Sequence, residues 1–274
     1  MVKRHLIRFA PLYLLAAIAT LFALYPFLFM IQTALRTQGE FLQGPLGLPL
    51  PPTFENLEFV LSAQFLRYFL NSIVVSTISV GAATLFGAMA AYPLALMKFR
   101  SNRVIYVAFI AGLMIPIHAI IIPVFVLTLQ IGLYDSIWAL VGPYIGFSLP
   151  ITVLILTEFF RGLPREILEA ASVDGAGHFR RFWSVLLPLA KPAVATVSIY
   201  NLIFIWNEFI FALTLTSSRS NATLPVGLRE LFGQFGVNVP AVMMALTAAS
   251  LPVLIFYFFA QDRVMQGLTA GAVK

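Results

Sequence analysis

The sequence predicts an all-α membrane protein of six transmembrane helices with both termini in the cytoplasm. Three observations predict it: too little polar surface for a water-soluble globule, six apolar runs of spanning length, and basic residues concentrated in alternate connectors. Of the 274 residues, 60% are hydrophobic and 10% charged, and the mean hydropathy is +0.94. A soluble domain carries about a quarter charged residues, so lipid must solvate much of this chain. Strands are excluded because an open sheet edge leaves unmet N–H and C=O groups in hydrocarbon.

Crossing about 30 Å of hydrocarbon takes roughly 20 apolar residues in a helix. The runs 9–31, 69–97, 104–129, 137–160, 189–216 and 241–261 qualify. The first follows a basic flank of Lys3, Arg4 and Arg8. It exceeds the roughly 7–15 residues of a signal-peptide core, and no small-x-small cleavage site follows, so it reads as an uncleaved anchor. Connector 33–67 carries Gly44-Pro45, Pro49 and Pro51-Pro52, which predict an ordered but irregular external loop. Asn71 is expected to cap or hydrogen-bond near the start of the second span. Pro26, Pro93, Pro116, Pro123, Pro143, Pro150 and Pro252 fall within spans and predict bends that neighbouring helices satisfy. His118, between Pro116 and Pro123, is expected to serve packing or a kink. Gly142 and Gly146, at small-xxx-small spacing, predict close helix packing. Connector 217–240 mixes Asn221, Pro225, Gly227, Gly233 and Gly236 with Leu224, Leu228, Leu231 and Phe232, apolar residues expected to be exposed. It reads either as a loop on the membrane surface or as a contact for an external partner.

Thirteen of the 17 basic residues lie in segments that would share one side, leaving Arg36, Arg67, Arg219 and Arg229 on the other. By the positive-inside rule the basic side, with both termini, is cytoplasmic. The net charge of +6 is then topogenic, and a nucleic-acid partner is excluded. No cysteine is present, so there is no disulfide framework and no thiolate metal site. The three histidines, His5, His118 and His178, are too scattered in sequence to support a metal centre. A phosphate-binding loop needs Gly-Lys, and no lysine here follows glycine. His-Glu-x-x-His and Gly-x-Ser-x-Gly are missing as well, so the chain is expected to be non-catalytic and to bind no cofactor itself.

The connector 161–188 holds the most information. Pro164 suits the first turn of a helix, Glu166 and Glu169 sit near its positive end, and Ala170 and Ala171 permit close approach of another backbone. Gly175 and Gly177 offer the positive φ of a helix stop. Beyond them Phe179, Phe182, Trp183, Leu186 and Leu187 form one apolar stripe, and Pro188 is expected to end that helix and start the fifth span. An interfacial helix lying on headgroups explains the stripe. It does not explain an acidic, alanine-rich helix followed by glycines, which suits a protein partner.

Within the spans Glu208 is the informative charge, since a carboxylate at membrane depth normally faces a bundle interior or an aqueous cavity. Trp206 and Asn207 beside it offer a stacking face and an amide for sugar hydroxyls, and Asn201 falls on nearly the same helix face. Two readings stay open: a pore lining, or a polar knot between subunits. Gln130 is a lesser candidate.

Glu169-Ala170-Ala171-Ser172-Val173-Asp174-Gly175-Ala176, followed by Leu187-Pro188, resembles the EAA loop of bacterial ABC importer permeases. Asn71-Ser72, Trp206-Asn207-Glu208, Leu224-Pro225-Val226-Gly227-Leu228 and the tail from Gly267 to Lys274 extend the resemblance to the carbohydrate-uptake branch. The resemblance implies a type I importer permease fold in a bacterial or archaeal inner membrane. It implies a second permease subunit, two copies of a cytoplasmic ATPase that hold ATP and Mg, and an extracytoplasmic solute-binding protein. Carried over by position, Glu169 makes the polar contact to the ATPase, Ala170 and Ala171 its close-packed face, and Asp174-Gly175 the turn. Leu224, Pro225, Gly227 and Leu228 belong to the segment reaching the binding protein, and the tail extends toward the ATPase. No arginine cluster lies within the spans, which favours a neutral sugar over a phosphorylated one. An ion-coupled carrier or channel is the alternative, but it would want several buried carboxylates where the spans offer essentially Glu208, and no inverted repeat is visible.

Overall fold

The computed structural model describes residues 2–234 and 238–272, so Gly236 and the tail end at Val273 and Lys274 lie outside the described residues. Among the described residues every regular element is helical and no strand forms. In chain order the elements are α1 (Val2–Ala34), α2 (Gln38–Gln43), α3 (Asn56–Val60), α4 (Ala63–Leu96), α5 (Asn102–Gly112), a 3-10 turn (Ile117–Ile120) and α6 (Ile121–Gln130). Then come α7 (Trp138–Arg161), α8 (Arg165–Val173), α9 (His178–Arg181), a π-turn (Phe182–Leu186), α10 (Leu187–Leu189), α11 (Lys191–Trp206) and α12 (Ile210–Leu215). A 3-10 turn (Arg219–Asn221), α13 (Leu224–Gln234) and α14 (Val239–Ala272) complete the chain. Two compact units form, Met1–Leu66 with Gly227–Leu251, and Arg67–Val226 with Pro252–Lys274.

Four segments are long and apolar enough to cross a membrane alone: Phe9–Ala34, Ala63–Leu96, Trp138–Arg161 and Val239–Phe259. Two bent pairs pass together, α5 with Ile117–Gln130 at 93° and His178–Leu189 with α11 at 75°. The predicted third span is therefore not one rod. Pro116 removes an N–H and biases Ile115 away from helical φ/ψ, so the chain turns there. His118 is exposed in this turn and does not pack into a kink. The predicted fifth span, 189–216, breaks twice, at Ala190 and at 207–209.

In the first unit the connector after α1 is more regular than its prolines suggested. Thr37 and Glu40 form a reciprocal capping box that starts α2. Arg36 is 4% exposed, and its guanidinium donates to the carbonyls of Glu40 at 2.5 Å and Pro45 at 3.2 Å. Asn56 donates to the carbonyls of Ala34 and Arg36, both at 2.8 Å, fastening α3 to the end of α1. A buried cation bonded to carbonyls is how a turn-rich segment becomes ordered without a sheet.

In the second unit α4, α7 and α11 share a core. Tyr92, Leu156, Phe160, Phe182, Leu186 and Val197 are all nearly or wholly buried in it. Between apolar helices in lipid, close backbone approach replaces the hydrophobic drive. That approach occurs at Gly87, where a Cβ would sit 2.4 Å from the Thr152 methyl, and at Gly112, where it would sit 2.9 Å from Pro150. A Cβ added at Gly142 or Gly146, both predicted to pack closely, would meet nothing within 4 Å in this chain. Asn71 lies inside α4, which begins at Ala63, so it is no cap; of the two roles expected of it, it takes the hydrogen-bonding one.

Candidate functional site

The connector 161–188 folds as two short arms. Pro164 stands at the N-cap position of α8, one residue earlier than the sequence suggested. The helix stops at Asp174 by a Schellman motif: Ala176 N–H donates to Ala171 O at 2.9 Å, and Gly175 N–H to Ser172 O at 3.1 Å. Gly175 supplies the required positive φ, +73°. Gly177 does not, having φ −66° and serving instead as the N-cap of α9. Leu163 and Leu168 pack against the core, while Glu166, Ile167, Glu169, Ala170 and Asp174 face outward and Ala171 is half-buried. Val173 is 88% exposed. Ile167 and Val173 are thus exposed apolar side chains on the outer side of this amphipathic helix.

The second arm is anchored to α4. Tyr92 Oη lies 3.0 Å from His178 Nδ1, and the rings of Tyr92 and Phe182 are 5.8 Å apart. Arg181 Nε donates to Ala176 O at 2.7 Å, closing the turn on itself. The predicted stripe divides: Phe182 and Leu186 are buried, whereas Phe179 and Trp183 are exposed and lean on each other at 6.0 Å. Pro188 does not end this helix. The π-turn, closed by Leu187 N–H to Phe182 O, carries it through to Leu189 before the 75° bend.

Glu208 sits at the second break of the fifth span. Its Oε1 accepts from the N–H groups of Ile210 (2.8 Å) and Phe211 (2.9 Å). Its Oε2 accepts from Ala212 N–H (3.2 Å) and from the Tyr144 hydroxyl (2.6 Å). The carboxylate thus satisfies the free amides at the start of α12, where a negative charge is favoured, and ties α12 to α7. Because α11 ends at Trp206, Glu208 does not share a helix face with Asn201. Asn201 is buried and donates to Thr152 Oγ1 at 2.9 Å. Asn207 is exposed, donating to Ile203 O at 2.8 Å, and Trp206 is buried edge-on against Phe69 at 5.9 Å.

The segment after α12 is held by residues the sequence did not single out for it. Asp135, with φ +58°, accepts from the N–H groups of Ser217 and Ser218, both at 2.8 Å, and from the Ser218 hydroxyl. Asn71 donates to the carbonyls of Ser220 and Ala222, both at 2.9 Å, and Ser72 Oγ accepts from Leu224 N–H at 2.8 Å. Leu224, expected to be exposed, is 1% exposed, Gly227 is buried, and Pro225 and Leu228 are half-buried. Hydrogen bonds from Ser218 and Ser217 hold the Asp135 carboxyl down at about 2. A pKa below the ordinary value near 4 means the clamp is complete above that value and is lost as pH falls towards 2. Amide exchange at Ser217 and Ser218, corrected for intrinsic rates, is therefore expected to accelerate below about pH 4. Asp135→Asn should show the fast exchange already at neutral pH; protection unchanged in that variant would refute the clamp.

A cavity of about 720 Å³ runs between α4, α11 and α14. Ser76, Thr77 and Ser198 put hydroxyls on its wall among apolar and aromatic side chains such as Phe256, and Lys191 lines it as well. Of Asn201, Trp206, Asn207 and Glu208, Trp206 is the one that lines it. No group of three metal-ligating side chains converges among the described residues.

Residues 83–269 match the family described as binding-protein-dependent transport system inner membrane component. A protein of Caldicellulosiruptor sp. (strain Rt8B.4), described as an ABC transporter permease, is 46% identical over 96% of each chain. The diacetylchitobiose uptake system permease protein NgcG of Streptomyces coelicolor is 32% identical, over 97% of this chain and 90% of its own. Among solved structures, a bacterial ABC transporter involved in import of the acidic polysaccharide alginate superposes with TM-score 0.81 at 24% identity, covering 93% of this chain and 96% of that one.

Proposed function

The chain belongs to the family of binding-protein-dependent transport system inner membrane components, with the type I ABC importer permease fold, and from that premise we propose that it is one permease subunit of an ATP-driven sugar importer. The carrying observation is the exposed arm α8, stopped by Gly175 and seated on the core by Leu163 and Leu168. It offers Glu169, Ala170, Asp174 and Val173 to a partner while Leu163 and Leu168 pack against the bundle core. That is the form of a lever. ATP hydrolysis, with its Mg, belongs to a separate cytoplasmic ATPase, two copies of which seat on this arm and on its counterpart in a second permease subunit.

The reading counts each bent pair as one span, six in all, and the positive-inside rule supports a cytoplasmic side for both termini and the arm. Segment 217–240 then lies outside, where an extracytoplasmic binding protein delivers substrate. Since Leu224 is buried, the contact in the second unit falls to exposed neighbours such as Ser217, with Leu224 and half-buried Pro225 behind it. The sugar reading draws on the diacetylchitobiose relative and on the cavity wall, whose hydroxyls and aromatic faces suit a neutral polyol. Tagged chain extracted in mild detergent should bring down both an ATPase and a second permease. Recovery of neither would sink this reading.

A further inference from the structure

We propose that the turn between α4 and α5 forms, with the ends of α7 and α9, a binding site for the phosphate of an inner-leaflet anionic phospholipid. Two adjoining clefts of about 470 and 620 Å³ share Lys98 and Arg161 on their walls. Arg181 and His178 line the first, Arg100 and Arg103 the second. Against these bases stand Glu169, on the first cleft, and Glu158, which pairs with Arg161 at 2.7 Å. Lys98, Arg100 and Arg103 have no acidic partner there.

The turn is built, not loose. Asn102 donates to the carbonyls of Pro93 (3.3 Å), Leu94 (3.2 Å) and Met97 (3.0 Å), capping the C-terminal end of α4 and fixing where Lys98, Arg100 and Arg103 project. Arg161 is held in place as well, lying 4.5 Å over the Tyr106 ring. Tyr106 in turn donates to Glu158 at 2.6 Å. The site is therefore organised before any ligand arrives.

Its position and mixed walls select the ligand. The clefts open where three apolar helices end, the depth at which headgroups and tyrosine rings lie. Leu94, Met97 and half-exposed Phe99 supply an apolar side beside the cations. A phosphodiester on acyl chains meets both demands in one molecule, whereas free phosphate uses only one. Basic pockets between spans on the cytoplasmic side bind anionic headgroups in this way, and arginine pairs well with phosphate oxygens.

The inference rests on the cytoplasmic placement proposed above, which is tested separately. The chain has no cysteine, so Lys98→Cys introduces a unique label. Its modification by an impermeant maleimide from the external side would overturn that topology without touching the lipid measurement. The purified importer is reconstituted in phosphatidylcholine nanodiscs with or without phosphatidylglycerol, and retained lipid is read by native mass spectrometry. Phosphatidylglycerol should be kept in preference to phosphatidylcholine. Lys98→Gln with Arg103→Gln should weaken retention by about 25-fold, roughly fivefold per base. Millimolar inorganic phosphate should not displace it. Equal retention of the two lipids by the wild type overturns the proposal, whether or not the double variant accumulates. So does undiminished retention in the variant, displacement by free phosphate, or a cross-link from the thiol of the Lys98→Cys variant into an acidic stretch of the ATPase.

Discussion

Gly175→Val is expected to remove most uptake while leaving the chain in the membrane at close to normal amounts. Gly175 holds φ +73°, and a β-branched residue there costs about 1–2 kcal/mol. Nothing lies within 4 Å of a Cβ at this site, so the substitution adds no clash and the backbone effect stands alone. The Schellman motif is what stops α8 at Asp174, and losing it lets the helix end wander. Glu169, Ala170 and Val173 then no longer present one fixed face. A shift of about 1–2 kcal/mol between docked and undocked arms is a factor of about 5–30 in their ratio. Uptake should fall by roughly that factor, while ATP hydrolysis by the assembled importer loses its dependence on substrate. Gly175→Asn is the control, since asparagine tolerates positive φ better than other side chains. It should keep most uptake. Normal transport by the valine variant, or equal failure of the asparagine one, would show that the turn does not set coupling.

Local chemistry was legible in the sequence and long-range pairing was not. The solvent was readable because composition alone decides whether a chain can cover itself with polar atoms. The stop at Gly175 was readable because a helix end is determined within about five residues. Leu224, expected to be exposed, is buried, and its N–H is held by Ser72, more than 150 positions earlier; no periodicity reports such a partner. The break in the fifth span was hidden by a continuous apolar run. Its one signal was Glu208 itself, an acidic residue just before a helix, which is a start signal as well as a buried charge. Asp135 was passed over because its partners, Ser217 and Ser218, lie over 80 residues away. Where a carboxylate acts on its own chain, the sequence shows the group and not its donors.

Glu208→Ala is expected to destabilise the chain strongly rather than to alter which sugar it carries. The carboxylate is 9% exposed and accepts from three backbone amides and one hydroxyl. Removing it strands those donors, at about 1–3 kcal/mol for each one that water or a neighbour does not rescue. A net loss on the order of 3 kcal/mol is reasonable, because α12 can fray and recover some bonds. The thermal midpoint in detergent should fall by roughly 5–10 °C. Glu208→Gln keeps the shape but turns an NH₂ toward N–H donors, so it should lie between the two. The bond to Tyr144 is separable: Tyr144→Phe deletes only the hydroxyl, and a double-mutant cycle should give a coupling of about 1–2 kcal/mol. The two other readings of Glu208, pore lining and subunit knot, predict otherwise. A pore lining would leave the midpoint unchanged and shift substrate preference, and a subunit knot would lower the midpoint of the assembled importer but not of this chain alone. A fall in the isolated chain, with coupling to Tyr144, is the outcome specific to a carboxylate that starts α12 and pins it to α7.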